Sequence, residues 1–112
     1  MEAVCSFIQL NYRQEMTLDD LADLVHLNKN HFARRFKQQM GVAPIEYLIT
    51  IRLKNARDLL LATQYSIKSI AFDCGFKNQS YFNYAFKKQF GVTPGEYRAN
   101  VIQRESGQMG QS

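Results

Sequence analysis

Long apolar runs are missing from this 112-residue chain, and with them any membrane span, which needs about 18 consecutive apolar residues. The opening, MEAVCSFIQL, lacks the basic start and small-residue cleavage site of a secretion signal. Cysteine is scarce. Cys5 and Cys74 lie in apolar stretches and not at scaffold-like spacings, which argues against a disulfide and for buried thiols in a reducing cytoplasm. Neither has a histidine at metal-ligand spacing, because His26 and His31 are the only two, so no zinc or other metal is expected. There is no Ser/His/Asp arrangement, no glycine-rich phosphate loop and no pair of catalytic carboxylates. Asp19, Asp20 and Asp23 fall at a helix start, where the helix dipole accounts for them. No catalytic residue, no cofactor and no enzymatic activity are expected.

Acid is also missing where base is dense. From Leu27 to Arg57 the chain holds Lys29, Arg34, Arg35, Lys37, Arg52, Lys54 and Arg57 against Glu46 alone, a local +6. The overall charge is +4, so the rest of the chain carries −2. Such a block is either a solvated helix face or the footprint of a polyanionic partner. What remains is ordinary: 46% apolar and 21% charged residues describe a soluble globular protein, and 112 residues make one domain or two very small ones sharing a core.

The chain says one thing twice. "GVAPIEYL" begins at Gly41 and "GVTPGEYR" at Gly91. Aligned at an offset of fifty, Asn28–Tyr47 and Asn78–Tyr97 share Asn28/Asn78, Phe32/Phe82, Phe36/Phe86, Lys37/Lys87, Gln39/Gln89, Gly41/Gly91, Val42/Val92, Pro44/Pro94, Glu46/Glu96 and Tyr47/Tyr97, ten positions of twenty. Upstream the echo shifts to an offset of 49, with Leu21-Ala22 answered by Ile70-Ala71, so the second copy has a turn one residue longer. Two copies are too few for a solenoid; this is a duplicated module.

Each module predicts two helices and a tight turn. Thr17 is placed to cap a helix carrying Leu18, Leu21, Ala22 and Val25, and Ser66 one carrying Ile67, Ile70, Ala71 and Cys74. His26 and Leu27 form the first turn. Gly75, free to take a positive φ, forms the second. Asn28 and Asn78 cap the following helices, which stop at Gly41 and Gly91 before a proline restarts the chain. Helix, turn, helix within about 25 residues is the helix-turn-helix pattern. With Phe32 and Phe36 inward, the outer face of the second helix is Asn30, Arg34, Lys37 and Gln38, flanked by Ala33. With Phe82 and Phe86 inward it is Ser80, Tyr84, Lys87 and Lys88, with Asn83 beside them. Neither face has a carboxylate. Amides, hydroxyls and cations suit base edges and phosphate oxygens.

Pro44 to about Ala62 reads as one amphipathic helix through Tyr47, Leu48, Ile51, Ala56, Leu59 and Leu60. At 1.5 Å per residue it spans roughly 27 Å. Paired half-sites on DNA lie about 34 Å apart. A rod of that length predicts one monomer inserting both reading helices into successive major-groove segments, with bent DNA or one helix incompletely seated. A first helix over about Glu2–Arg13 puts Val4, Ile8 and Tyr12 on one face. Phe32, Phe36, Phe72, Phe76, Phe82, Phe86, Phe90, Tyr47 and Tyr97 are expected in the core.

The segments "DLADLVHLNKNHFARRFKQQMG", "PIEYLITIRLKNARDLL" and "SIKSIAFDCGFKNQSYFNYAFKKQFGVTPGEYR" resemble the DNA-binding domain of the AraC/XylS family of bacterial transcription regulators, over about residues 4 to 100. The resemblance implies an all-α, homeodomain-like fold of seven helices: subdomain one over about 2–43, a linker helix over about 44–62 and subdomain two over about 64–103. Residues 1–103 would form the domain and 104–112 a disordered tail. It places base contacts on Asn30, Ala33 and Arg34, and on Gln79, Ser80, Tyr81, Asn83 and Tyr84. Arg34 matches the common family residue and would read guanine with two hydrogen bonds. The family often has arginine where this chain has Tyr84, which removes a guanine contact there and points to weaker or shape-based readout. Lys37 and Lys87 are assigned to phosphates, together with the helix starts at Thr17, Ser66 and Asn78. The implied partners are double-stranded promoter DNA and RNA polymerase, in the cytoplasm and away from membranes, with activation as the usual outcome. An effector or phosphorylation signal would arrive through a sensor domain absent from these residues, which read as an excised C-terminal domain or, as the alternative, a free-standing small regulator. The competing readings are a helical protein-interaction adaptor and a single-strand or RNA binder.

Overall fold

The computed structural model describes residues 1–101, and every regular element among them is helical. The elements are α1 (Glu2–Asn11), α2 (Leu18–Asp23), α3 (Lys29–Met40), α4 (Pro44–Ala62), α5 (Ile67–Asp73), α6 (Gln79–Phe90) and α7 (94–101), seven helices among the described residues. The expected end of the second subdomain at 103 and the tail from Arg104 lie outside the described residues. The chain divides into two compact units, Met1–Arg52 and Leu53 onward, and the division falls inside α4.

Helix boundaries follow the capping residues. The Thr17 hydroxyl accepts from the Asp20 N–H at 3.1 Å, and the Asp20 carboxylate accepts from the Thr17 N–H at 2.9 Å, a reciprocal box that starts α2. Ser66 accepts from the Ser69 N–H at 3.0 Å and starts α5. Asn28 and Asn78 do the same for α3 and α6, accepting from His31 at 2.8 Å and Tyr81 at 2.7 Å. Each such cap is worth about 1 kcal/mol. Both α3 and α6 end at a glycine in the left-handed region, Gly41 at φ 83° and Gly91 at φ 86°, where most other residues would be strained.

In the first unit, Val4 and Ile8 of α1, Leu21 and Ala22 of α2, Phe32 and Phe36 of α3 and Leu48 of α4 form one buried cluster. In the second unit the buried set is Leu53, Ala56 and Leu60 of α4, Ile70 and Ala71 of α5, Cys74, Phe76, and Phe82, Ala85 and Phe86 of α6. The repeat now has a meaning. Phe32 and Phe36 stand 5.8 Å apart, as do Phe82 and Phe86. Tyr47 meets Phe36 edge-on at 5.7 Å, and Tyr97 meets Phe86 edge-on at 5.7 Å. The echoed "GV-x-P-x-EY" therefore stops the second helix of each module, turns, and returns a tyrosine onto its second phenylalanine. Burial pushes the Tyr47 phenol above its ordinary pKa.

The turns differ as the offset requires. The Leu27 N–H donates to the Ala22 carbonyl at 3.2 Å and the Phe76 N–H to the Ala71 carbonyl at 3.0 Å, equivalent bonds at an offset of 49. Lys77 is the extra residue before Asn78. Gly75 sits at φ 99°, and its counterpart His26 takes φ 58°, the one non-glycine residue with positive φ among those described. Histidine tolerates this region better than most, but the strain is real.

Two expectations need correction. Phe72 is 47% exposed and not core. Ile70, Ala71 and Cys74 occupy the inward side of α5, and at 100° per residue Phe72 falls opposite them. Phe90, Tyr47 and Tyr97 are half-buried. The second correction concerns the basic block, in which Arg52 turns inward. It is 8% exposed; Nε donates to the Tyr12 carbonyl at 2.7 Å and a terminal nitrogen to the Gln14 carbonyl at 2.9 Å, just past the end of α1. Those carbonyls have no helical partner of their own, which is why a guanidinium is stable there. Arg98 of α7 repeats the device in the second unit, donating to the carbonyls of Leu60, Thr63 and Tyr65 at 3.1, 3.3 and 2.7 Å at the end of α4. Arg57 is half-buried and lies 5.1 Å from the Phe90 ring centre.

Candidate nucleic-acid interface

The outward face of α3 is built by its inward one. Phe32 and Phe36 are fully buried, so the helix cannot rotate, and Asn30, Arg34, Lys37 and Gln38 are held in solvent. Ala33 at the flank is half-buried. Among the described residues Arg34, Arg35 and Lys37 form no ion pair. A guanidinium left in water by its own fold is available to an incoming anion or base edge. Beside Arg34, the side chains of Asn28, His31, Arg35 and Gln38 complete a shallow polar depression of about 360 Å³. Arg35 was not among the sequence-derived site residues, whereas His31 was read from the sequence as a phosphate neighbour. The Arg35 signal was present nonetheless, because positions 28, 31, 35 and 38 recur at helical spacing and form a strip next to the one defined by Arg34.

On α6, Phe82 and Phe86 play the same anchoring part. Ser80, Tyr81, Tyr84, Lys87 and Lys88 are exposed, while Gln79 and Asn83 are half-buried. Tyr84 is 63% and Tyr81 47% exposed. The Asn83 Oδ1 is buried without a hydrogen-bond partner. The expected phosphate set is also at the surface: Thr17, Lys37, Ser66, Asn78 and Lys87 are all exposed. The side-chain oxygens of Thr17, Ser66 and Asn78 accept the cap bonds. Only their hydroxyl or amide hydrogens and the adjacent backbone N–H groups remain for a phosphate. The structure thus sets Asn30, Ala33 and Arg34 side by side on α3; on α6 it spreads the predicted set around the helix, from the exposed Ser80, Tyr81 and Tyr84 to the half-buried Gln79 and Asn83.

A family model described as a helix-turn-helix domain matches residues 21–100, most of the chain. The DNA-binding domain of the global transcription factor AdpA, solved in complex with a target DNA, superposes with a TM-score of 0.88 at 30% identity, covering 92% of this chain and 93% of that one. The chain belongs to the AraC/XylS family. As a member of that family it is a helix-turn-helix DNA-binding domain of the kind that regulates transcription. Among curated AraC/XylS relatives, the lactose operon transcription activator of Staphylococcus xylosus is 36% identical over 72 residues, 64% of this chain and 26% of that protein. The bifunctional transcriptional activator/DNA repair enzyme of Bacillus subtilis (strain 168) is 34% identical over 78 residues, 70% of this chain and 37% of that protein. The chain spans about a quarter to a third of the length of the curated relatives it matches. No helix among the described residues is long and apolar enough to cross a membrane. Nor do those residues hold a group of three or more His, Cys, Asp or Glu side chains able to bind a metal.

Proposed function

We propose that this AraC/XylS domain binds promoter duplexes by laying α3 and α6 into successive major-groove segments of one DNA. Arg34, flanked by Asn30 and Ala33, reads bases from α3, with the Arg34 guanidinium bidentate on guanine O6 and N7 and the Ala33 methyl against thymine. Gln79, Ser80, Tyr81, Asn83 and Tyr84 face bases from α6. Lys37, Lys87 and the helix starts at Thr17, Ser66 and Asn78 hold phosphates on either side. The expected 1–103 domain, with its subdomains about α4, is the unit that binds. In the full-length regulator a sensor domain supplies the effector or phosphorylation signal, and the bound domain recruits RNA polymerase in the cytoplasm to activate transcription. The reading assigns the chain no enzymatic role.

The observation that carries the reading is the exposed Arg34, without an ion pair among the described residues, on a helix whose opposite face is locked by Phe32 and Phe36. A protein-interaction adaptor would want an exposed apolar groove at this place, and the α3 face of Asn30, Arg34, Lys37 and Gln38 is polar. A gel-shift titration of a duplex promoter pool against the same strands unpaired, at two salt concentrations, tests the proposal. Duplex should bind more tightly, and the affinity should fall steeply with salt. Lys37→Ala and Lys87→Ala should each lower the salt slope by about one. Equal binding of single strands, or salt-independent binding, contradicts it.

A further inference from the structure

We infer that α6 reads an A·T step through the thymine methyl, using Tyr81 and Tyr84 as an apolar plate, so that the two reading helices work by different chemistries. This rests on the proposal that α6 faces the major groove. Where α3 holds out Arg34 and Arg35, α6 holds out two phenol rings. They lie 6.5 Å apart and inclined by 34°. Tyr81 leans on Phe76 at 6.1 Å, and Phe76, 3% exposed, packs edge-on against the buried Phe82 at 5.0 Å. One edge of the plate is thus pinned to the core, so closing it on a ligand sacrifices little side-chain freedom.

Of the groups that base pairs display in the major groove, only the thymine C5 methyl is apolar. Two aromatic faces offered to water gain most from covering that group, and a ring has no fork with which to grip guanine. Asn83 supplies a second, independent sign. Its Oδ1 is buried with no partner, a costly arrangement that a rotation toward the groove would end. Asparagine pairs with adenine N6 and N7, and adenine is thymine's partner. Tyrosines and amide therefore point to the same base pair.

Sites selected from a random duplex library by the wild-type domain, and again by Arg34→Ala, identify the two half-sites: the one whose preference relaxes belongs to α3 and the other to α6. Thymines of the α6 half-site are then replaced by deoxyuridine, which removes only the methyl. Wild-type affinity should fall roughly fourfold per methyl, the factor for burying one carbon. The same replacement in the α3 half-site, where the Ala33 methyl is set against thymine, serves as control: any loss there should be the same in wild type and Tyr84→Ala. Tyr84→Ala should bind thymine and uracil duplexes equally, and Tyr84→Phe should keep the wild-type discrimination, because the ring and not the hydroxyl makes the contact. Tyr84 is exposed, so neither change threatens the fold. Equal affinity for the two duplexes, or Tyr84→Phe behaving as Tyr84→Ala, overturns the inference while leaving duplex recognition standing. Stronger binding of the unpaired strand would make the plate a base-stacking platform and overturn it too. If no duplex is enriched, the proposed function falls first and this inference with it.

Discussion

Replacing Arg52 by methionine removes the fork that holds two carbonyls beyond the end of α1 while keeping most of the apolar stem. The lost bonds are short, 2.7 and 2.9 Å, and come from a charged donor that is 8% exposed. Bonds of that kind contribute about 1.5–3 kcal/mol each. Against that sum stands the relief of no longer desolvating a guanidinium, and the Gln14 end of the chain is exposed enough for water to reach the freed carbonyl. A net loss of about 2–3 kcal/mol is expected, which lowers the melting temperature of a domain this size by roughly 10–20 °C. Arg52→Lys, which keeps one donor but no fork, should fall between. Thermal denaturation followed by circular dichroism measures the loss. The decisive companion is the salt dependence of duplex affinity measured by fluorescence anisotropy. A side chain committed to Tyr12 and Gln14 releases no counterion from DNA, so Arg52→Met, compared with wild type below both melting transitions, should leave the salt slope unchanged. If Arg52→Met kept its melting temperature and lost about 0.9 from the slope, Arg52 would be a phosphate contact and the structural argument wrong.

Three further changes separate the parts of the account. Arg34→Ala should cost about 1–3 kcal/mol at the selected site and relax one base preference; a loss equal on all sequences would move Arg34 to the phosphate class. His26→Gly should raise stability by about 0.5–1 kcal/mol, because the strain at φ 58° outweighs the extra chain entropy of glycine. A lower melting temperature would contradict the strain argument. Gly75→Ala, at the equivalent position with φ 99°, should destabilise by about 1–2 kcal/mol, and an unchanged melting curve would show that the second turn relaxes to another geometry.

Helices, caps and turns were legible in the residues because each is written locally. Thr17 with Asp20, Ser66, Asn28, Asn78, Gly41 and Gly91 all sit where the pattern of side-chain oxygens and glycines placed them. The α4 bounds at Pro44 and Ala62 matched for the same reason, since proline fixes a helix start. Phe72 was misplaced because aromatic character was read ahead of angular position: Ile70, Ala71 and Cys74 had already filled the inward side of a short helix. Arg52 was counted with the charge around it, and nothing local reveals that its partners are carbonyls 38 and 40 residues away. The absent partner of the Asn83 Oδ1 is likewise a fact of packing alone.

Site selection from a random duplex library with the unmodified domain tests the central claim, that α3 and α6 engage one DNA together. The account predicts enriched sequences with two preferred boxes at a fixed spacing of about one helical turn, a guanine in the box lost with Arg34 and A·T pairs in the other. A single enriched box, or two boxes at freely varying spacing, would contradict it.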